Sequence, residues 1–341
     1  MTKTRTEPLI SVCIPVYETE PFLAKCLRSV YAQDFSSFEI IVVSDDSRGK
    51  DSKGRSSKKI VRQIEKEGNK YRKTSRLAPV KITFEEHHQN RGILEVRRTL
   101  SYNASGQYIF YVDSDDEIVP DALSALWNAT NQNTKVPIDI VHGTFVSGYY
   151  DKTDTFIPLE HKKCGAIYYG NLVGHDIFTS WVNGNISGNV CGKLILKNLV
   201  TSAFENIPYT ECNMADDFLI FFFIIQQAQS YIGLPDKIYR YRINSGMSSG
   251  RKIDTLKKWQ LVCSAASVFT IISTWIQEKN ASSEYHFSDE EIIRFRESAG
   301  KYLQNNIRQM NDTVVPELKD QAYEMLCDFW GKEAVERFIN K

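Results

Sequence analysis

The sequence carries no net charge, because its 42 lysine and arginine residues are balanced by 42 aspartate and glutamate residues. A general nucleic-acid binder needs a basic surface to contact phosphates, so the composition argues against that class. Apolar residues make up 42% of the chain and charged residues 25%, as in ordinary globular proteins. The 341 residues suffice for one large domain, or for one domain with an appendage.

The sequence also has no closely spaced pair of cysteines. None of the seven cysteines forms a C-x-x-C pair, which argues against a zinc knuckle and against a thioredoxin-type redox motif. Their odd number and wide spacing are typical of reduced thiols in a protein that faces the cytosol.

Long apolar runs are missing as well. Residues 1–8 lack the apolar core of a signal peptide. The most apolar later stretch, residues 261–276, is interrupted by serine and threonine and is too short to span a bilayer. We therefore expect a cytoplasmic protein, with any membrane contact peripheral and at the inner face of the cytoplasmic membrane.

What the first 150 residues do contain is an alternation of buried strands and amphipathic helices. Short runs rich in β-branched residues predict strands, and apolar positions at helical spacing predict the helices between them. Strands are predicted over residues 9–16, 38–43, 81–86, 107–112 and 138–142, and helices after residue 19, over 91–104 and after Pro120. This order predicts right-handed βαβ units, and hence an α/β fold with a mostly parallel sheet flanked by helices.

The chain beyond residue 250 has a helical, amphipathic pattern that pauses and resumes from Asp289. We expect one domain over residues 1–250 and a helical C-terminal segment over residues 251–341. These helices could contact a membrane surface or form a homodimer, although core packing is the plainer interpretation.

Residues 48–76 interrupt the alternation with 12 lysines or arginines against three acids. Ile60, Val61 and Ile64 allow a short helix with one apolar edge, and the rest is expected to be a mobile, solvated excursion. A basic loop beside a phosphate site could attract anions. A solvated surface loop is the plainer interpretation of such a charge run.

Polar side chains follow three of the predicted strands. Tyr17 and Glu18 follow the first strand, Asp45 follows the second, and the acidic run of residues 113–116 (DSDD) follows the fourth. Ligands gather at the carboxyl ends of strands in parallel sheets, so these groups are expected to share one site. A nicotinamide-dependent dehydrogenase would need G-x-G-x-x-G where PVYETEP stands, and the glycine-rich basic loop of a nucleotidyltransferase is absent too.

The acidic run has the chemistry of a metal site. Asp113 and Asp115 are spaced to reach one hard cation, such as Mg²⁺ or Mn²⁺, which bridges phosphates and neutralises a diphosphate leaving group. A solvated acidic turn or a helix N-cap is the alternative, since D-x-D is common by chance. Asp45 could accept a hydrogen bond from uracil or ribose, or form a turn, and Tyr17 could stack on a base.

Two more charged pairs are candidates. Asp216 and Asp217 begin an apolar helix, where a carboxylate could serve as general base or could cap the helix. Arg97 and Arg98 precede the acidic strand; a guanidinium suits phosphate, and ordinary surface charge is the alternative. The histidines at residues 87–88 lack a ligand partner at metal-site spacing and are expected to be structural.

Together these segments resemble glycosyltransferase family 2. SVCIPVYE, EIIVVSDDS, NRGILEVRR and YIFYVDSDDEIVPDAL are similar to the family's successive signatures. CGKLILKNLV, MADDFLIFFFIIQQAQ and YRYRINSGMSS are similar to acceptor-side motifs of bacterial enzymes that extend lipooligosaccharide or capsule, above all β-1,3-galactosyltransferases. The resemblance covers residues 8–250 and implies a GT-A fold and an inverting reaction.

The resemblance also implies a donor-binding set. Its members are Pro15, Val16, Tyr17, Glu18, Asp45, Arg97, Asp113, Ser114, Arg242 and Ser248. Val16 and Tyr17 are expected to line a uridine pocket, and Asp45 to bind uracil. Arg97 is expected to face the pyrophosphate or the donor sugar. The loop that contains Arg242 and Ser248 is expected to close over the diphosphate.

The same resemblance implies the reactive groups. Asp115 is expected to be the direct metal ligand, with Asp113 contacting the metal or ribose. Asp217 is expected to be the catalytic base, with Asp216 as the alternative. The sequence departs from the family pattern at Glu18, usually Asn, at residues 44–47 (SDDS), where the usual turn has a glycine, and at Asp216, usually Glu.

The implied reaction is a Mn²⁺- or Mg²⁺-dependent transfer of a hexose from a UDP-sugar to a sugar hydroxyl of a bacterial surface glycan such as lipooligosaccharide. Galactose in β-1,3 linkage is the first expectation, and no nucleic-acid partner is expected. The alternatives are a UDP-GlcNAc, UDP-GalNAc or UDP-Glc transferase of capsule or O-antigen synthesis, and a non-catalytic glycan-binding protein. Trp181 is either a platform for the acceptor or a core residue.

Overall fold

The computed structural model describes residues 8–130, 136–159, 164–210, 212–243, 252–282 and 287–340. The strands are β1 Ile10–Val16, β2 Phe38–Asp45, β3 Ile82–His87, β4 Tyr108–Tyr111, β5 Glu117–Ile118, β6 Ile140–Tyr150, β7 Phe156–Pro158, β8 Gly170–Val173, β9 Lys193–Leu196 and β10 Ser230–Arg242. The helices are α1 Glu20–Tyr31, α2 Ser57–Thr74, α3 Ile93–Asn103, α4 Ala122–Thr130, α5 His175–Val182, α6 Lys197–Asn206, α7 Asp216–Ile225, α8 Leu256–Cys263, α9 Ala265–Ser282, α10 Asp289–Thr313, α11 Lys319–Trp330 and α12 Lys332–Ile339, with a 3₁₀ helix at Pro316–Leu318.

One sheet organises the described residues, with strand order β3-β2-β1-β4-β9-β6-β10-β5, β7 on β6 and β8 on β10. The strands from β3 to β4 are parallel, and every residue of β1 and β2 is buried because helices cover both faces. β9 runs antiparallel between β4 and β6. The predicted α/β class with a helical C-terminal part is confirmed; the sheet is parallel in its first four strands and mixed beyond them.

Residues 48–76 are not the mobile excursion that their charge predicts. They contain α2, an 18-residue helix whose predicted apolar edge at residues 60–64 is buried. A Cβ on Gly68 would lie 2.3 Å from Cγ of Tyr31, so the two helices touch closely at this point. Arg72 is fully buried and donates hydrogen bonds to three backbone carbonyls at the C-terminal end of α1 and just beyond it. Packing against α1, which the charge pattern does not reveal, orders this segment.

The C-terminal helices share the main core and add a second one. Phe269 of α9 and Phe295 of α10 belong to the same buried cluster as the strands. Trp259 and Leu326 are fully buried in a separate cluster formed by α8, α10, α11 and α12. Leu256–Ser282 is long and apolar enough to cross a membrane, but half of its most apolar window is buried inside the protein.

Candidate active site

Three loops meet at one edge of the sheet because β1, β2 and β4 end side by side. The strand register places Val16 beside Ser44, and Cys13 beside Tyr111. Pro15 and Val16 are buried in β1, and Tyr17 follows with 38% of its surface exposed. An exposed aromatic ring at this edge is available to stack on a flat ligand.

The loops after β1 and β2 are joined through Ser47. Its hydroxyl donates to the carboxylate of Glu20 at 2.7 Å and accepts from the Glu18 amide at 2.7 Å. Ser57, at the start of α2, donates to the same Glu20 oxygen at 2.8 Å. Glu20 is fully buried, so this charged acceptor strengthens hydrogen bonds that tie the two loops to α1 and α2.

Three non-glycine residues around this edge have left-handed backbone. Glu18 has φ 53°, Asp46 has φ 52°, and Ala215, the N-cap residue of α7, has φ 65°. Asp46 takes the left-handed conformation within the SDDS turn, where the family pattern has a glycine. Such conformations are costly for residues with a Cβ and concentrate at functional sites.

Asp45 is enclosed by the segment before α3. Its carboxylate accepts from the Arg91 amide at 2.9 Å and the Gly92 amide at 2.8 Å, and lies 2.7 Å from Nδ1 of His87. His87 thus has the structural role expected of it. Asp45 is only 1% exposed, so its contact with uracil stays a prediction. Asp46 is the more open carboxylate here, with 37% of its side chain exposed.

The acidic run presents two of its carboxylates and buries the third. Asp113 has 36% of its side chain exposed, and Asp115 is partly exposed. Asp116 is 2% exposed and accepts from the Arg242 amide at 2.7 Å. Burial, reinforced by Asp115 and Asp113, raises the pKa of Asp116 well above its ordinary value. Ser114 is buried, and its hydroxyl lies 2.6 Å from that of Thr19, which ties this loop to α1.

Arg242 supports the acidic run from β10. Its Nε donates to the Asp115 carbonyl at 3.0 Å, and its guanidinium lies 4.8 Å from the Phe22 ring centroid and 4.2 Å from that of Tyr150. Only 14% of the side chain is exposed, so the expected diphosphate contact stays a prediction. Ser248, the other residue predicted for this role, lies outside the described residues.

Arg97 joins the acidic run to the start of α7. Its guanidinium donates to Asp113 at 3.1 Å and forms short hydrogen bonds with Asp216 and Asp217. Arg97 is 3% exposed, and burial would lower its pKa, but the three carboxylates outweigh burial and raise it well above the ordinary value. We call these four residues the Arg97 cluster. In this arrangement Arg97 faces carboxylates, and its contact with a donor pyrophosphate stays a prediction.

The two acids of α7 differ in access. Burial raises the pKa of both, and Arg97 opposes that rise. Asp217 keeps 29% of its side chain exposed, compared with 11% for Asp216. Asp217 is therefore the more accessible of the two carboxylates, and its role as the base stays a prediction.

Lys193 is a site residue that the sequence analysis misses. It is fully buried at the start of β9, donates to the Asn189 carbonyl, and lies 4.7 Å from the Phe221 ring centroid. Burial lowers its pKa to about 7, and Asp217 opposes that shift. Lys193 begins the apolar run KLIL, within the CGKLILKNLV segment that resembles an acceptor-side motif.

Trp181 and Arg98 lie in the interior. Trp181 is 4% exposed and its ring centroid lies 4.5 Å from that of Phe218, so most of its surface belongs to the core and its role as a platform for the acceptor stays a prediction. Arg98 is 4% exposed, pairs with Glu95 at 2.9 Å and donates to the Ile207 carbonyl at 3.0 Å, so it anchors α3 to the segment after α6.

The donor set for a metal is small. In the part of the chain that the structure describes, no group of three or more His, Cys, Asp or Glu side chains is placed to enclose a cation. Asp113 and Asp115 offer carboxylate oxygens, which fit a hard divalent cation that takes its other ligands from phosphates and water. The Arg97 cluster has three carboxylates for one guanidinium, and this excess negative charge also suits a cation.

Comparisons with known proteins agree with this geometry. The family model Glycosyl transferase family 2 matches residues 11–196, more than half of the chain. Over 283 residues the chain is 24% identical to EpsH of Bacillus subtilis (strain 168), covering 82% of the chain and 72% of EpsH. Over 125 residues it is 28% identical to the GalNAc(5)-diNAcBac-PP-undecaprenol beta-1,3-glucosyltransferase of Campylobacter jejuni, covering 37% of the chain and 35% of that relative.

The fold has a counterpart among solved structures. S. aureus TarS 1-349 in complex with UDP-GlcNAc has a TM-score of 0.50 and 18% identity, and the superposition covers 97% of this chain and 91% of that one. This likeness concerns the fold. The family match runs from β1 to the end of β9 and includes the three loops at the site edge, so the chain belongs to glycosyltransferase family 2.

Proposed function

We propose that the protein transfers a hexose from a UDP-sugar to a sugar hydroxyl with inversion at the anomeric carbon. The observation that carries this proposal is the Arg97 cluster, which brings Asp113 of the acidic run together with Asp216 and Asp217 of α7. Leaving-group stabilisation and proton abstraction are the two tasks of an inverting transfer, and the cluster sets candidate groups for both side by side.

In the proposed reaction Asp217 accepts the proton of the acceptor hydroxyl. The acceptor oxygen then forms the new bond to the anomeric carbon as the bond from that carbon to the UDP phosphate oxygen breaks on the opposite face. Asp216 and Arg97 hold Asp217 in place. When bound at Asp115 and Asp113, Mn²⁺ or Mg²⁺ would supply positive charge that stabilises the departing diphosphate.

On the donor side, Tyr17 supplies an exposed ring for the uracil base, and Pro15, Val16, Glu18 and Ser114 shape the pocket. Galactose in β-1,3 linkage is the first donor sugar and linkage to test, because the later motifs resemble β-1,3-galactosyltransferases. The Campylobacter jejuni relative is named a beta-1,3-glucosyltransferase, so UDP-glucose is the second.

The proposed acceptor is a growing bacterial surface glycan such as lipooligosaccharide, made at the inner face of the cytoplasmic membrane. The name of the Campylobacter jejuni relative, with its undecaprenol-linked acceptor, supports a lipid-linked glycan. We also propose that residues 1–250 are the transferase unit and residues 251–341 its helical extension, which could form a homodimer. The last strand of the sheet ends at Arg242, which is consistent with this division.

The test is UDP release from UDP-Gal, UDP-Glc, UDP-GlcNAc and UDP-GalNAc, each with Mn²⁺, Mg²⁺ or EDTA. Asp115→Ala should lower the rate on the order of a hundredfold or more. Asp217→Asn should keep UDP binding and lose transfer by about 10²–10⁴-fold. Asp320→Asn, at an exposed position of α11, is the matched control.

Full activity of Asp217→Asn would move the base to Asp216 or elsewhere, and near-normal transfer by Asp115→Ala would overturn the metal assignment. No UDP release from any donor, together with glycan binding, would favour a non-catalytic glycan-binding protein on this fold.

A further inference from the structure

A groove lies beside the start of α7, between the loop after α5 and helix α10. It has a volume of about 230 Å³, and the apolar residues that line it include Phe218 and Trp181. Phe218 follows Asp217 directly, so the two Cα atoms are about 3.8 Å apart. Phe218, which lines the groove, is therefore the neighbour of the candidate base along α7.

Helix α10 also approaches the reactive carboxylates. Tyr302, which follows the groove residue Lys301, packs against Phe218 with ring centroids 6.0 Å apart. Burial raises the pKa of Tyr302 to about 12, and Asp217 and Asp216 contribute to that rise. The helix that supplies one wall of the groove is therefore within electrostatic reach of the candidate base.

The polar wall of the groove carries an excess of positive charge. Arg294, Glu297 and Lys301 line it from α10, and Arg294 pairs with Glu297 at 3.2 Å. Lys301 is exposed and has no ion pair with any residue that the structure describes. The third wall is the loop after α5, which contributes Asn183, Gly184 and Ser187.

We propose that this groove is an acceptor subsite that binds an anionic group of the glycan, a phosphate or a carboxylate, while a neighbouring sugar hydroxyl reaches Asp217. Lys301 supplies a charge that has no ion pair with any residue that the structure describes. Phe218 supplies apolar surface against which the C–H face of a sugar ring packs. This proposal rests on the proposed transferase function, because its ligand is the acceptor of that reaction.

The experiment measures binding of three probes to the full chain in the presence of UDP and Mg²⁺ by saturation-transfer NMR titration. The probes are glucose 6-phosphate, glucuronic acid and neutral methyl β-D-glucopyranoside. At least one anionic probe should bind about fivefold or more tightly than the neutral one, which is the size of one charge-assisted contact. Tighter binding of glucose 6-phosphate assigns a phosphate, and tighter binding of glucuronic acid assigns a carboxylate.

Two variants and one control locate the site. Lys301→Gln and Arg294→Gln should each weaken the binding of the anionic probe about threefold to tenfold and leave the binding of the neutral probe unchanged. The control Arg308→Gln lies two turns further along α10, where the arginine donates to Asn305 at 2.8 Å, and it should change the binding of neither probe. Equal binding of all three probes, or anionic binding that survives both variants, would overturn the proposal.

A separate readout keeps this proposal distinct from the proposed function. Donor hydrolysis without acceptor is measured for the unmodified protein and for the control Arg308→Gln, and the two rates should agree. Failure of the unmodified protein to release UDP from any donor refutes the transferase, whatever the probes do. Normal donor hydrolysis combined with no preference for an anionic probe refutes only the subsite.

Discussion

Replacing Arg97 with methionine tests whether the Arg97 cluster is held together by buried charge. Methionine keeps most of the side-chain bulk and removes the only cation that contacts Asp113, Asp216 and Asp217 among the described residues. Taking away one partner of a buried ion pair costs about 3–5 kcal/mol, because the other charge is left without compensation. Asp216, with 11% of its side chain exposed, should account for most of this cost.

The cost should depend on pH in a defined direction. Burial already raises the pKa of Asp216 and Asp217, and loss of Arg97 removes the group that opposes this rise. A carboxyl group whose pKa is higher in the folded state than its unfolded value of about 3.9 destabilises the folded state as pH rises from the lower to the higher pKa. The full effect is about 1.4 kcal/mol for each unit by which the two pKa values differ. We therefore expect Arg97→Met to lose roughly 3 kcal/mol at pH 8 and clearly less at pH 5.

Urea unfolding at pH 5 and pH 8, with EDTA in every sample, measures both numbers. The variant Arg97→Met/Asp216→Asn/Asp217→Asn should regain much of the lost stability at pH 8, because no buried charge is left unpaired. An equal loss at both pH values, or a loss below about 1 kcal/mol at pH 8, would refute the view that Arg97 compensates buried carboxylates.

Three further predictions concern packing, backbone conformation and titration. Gly68→Ala should destabilise the fold by about 1–2 kcal/mol in urea unfolding, because its Cβ would lie 2.3 Å from the Tyr31 ring and overpacking outweighs the gain in helix propensity. An unchanged unfolding midpoint would contradict close packing of α1 on α2. Ala215→Gly should stabilise the fold by about 0.5–1 kcal/mol in the same assay, because glycine relieves a φ of 65°; a loss of stability would argue against that conformation. The kcat of transfer should rise with pH through the raised pKa of Asp217 and then level off, since the base acts as a carboxylate; a profile that falls over this range would exclude it as the base.

The strands of the parallel half could be predicted because their residues are buried on both faces. The predicted runs end at Val16, Val43 and Val112, where polar residues begin, and the structure ends β1 at Val16, β2 at Asp45 and β4 at Tyr111. The start of α10 at Asp289 could be predicted as well, because Ser288 and Glu291 form a capping box there. The pattern of residues within one strand or helix is enough to predict where that element begins or ends in these cases.

Contacts between distant segments account for what the sequence did not reveal. β9 is four residues long, begins with a buried lysine, and exists as a strand because β4 and β6 flank it. The lysines and arginines of α2 suggested a solvated loop, whereas Gly68 and Arg72 fit against α1. Arg97 looked like a phosphate ligand, and its partners at the start of α7 lie 119 and 120 residues away along the chain. Local periodicity carries no information on such pairs.

The hydrogen bonds of Ser47 and Thr19 have a consequence for how a nucleotide meets the protein. Through Ser47, Thr19 and their partners Glu20 and Ser114, the loops after β1, β2 and β4 are all fastened to the first turn of one helix. Their conformational entropy is therefore lost during folding and does not have to be lost again when a ligand arrives. We therefore expect a nucleotide to bind at this edge of the sheet without ordering these loops. The heat-capacity change of binding should then be close to that of the surface covered by the nucleotide.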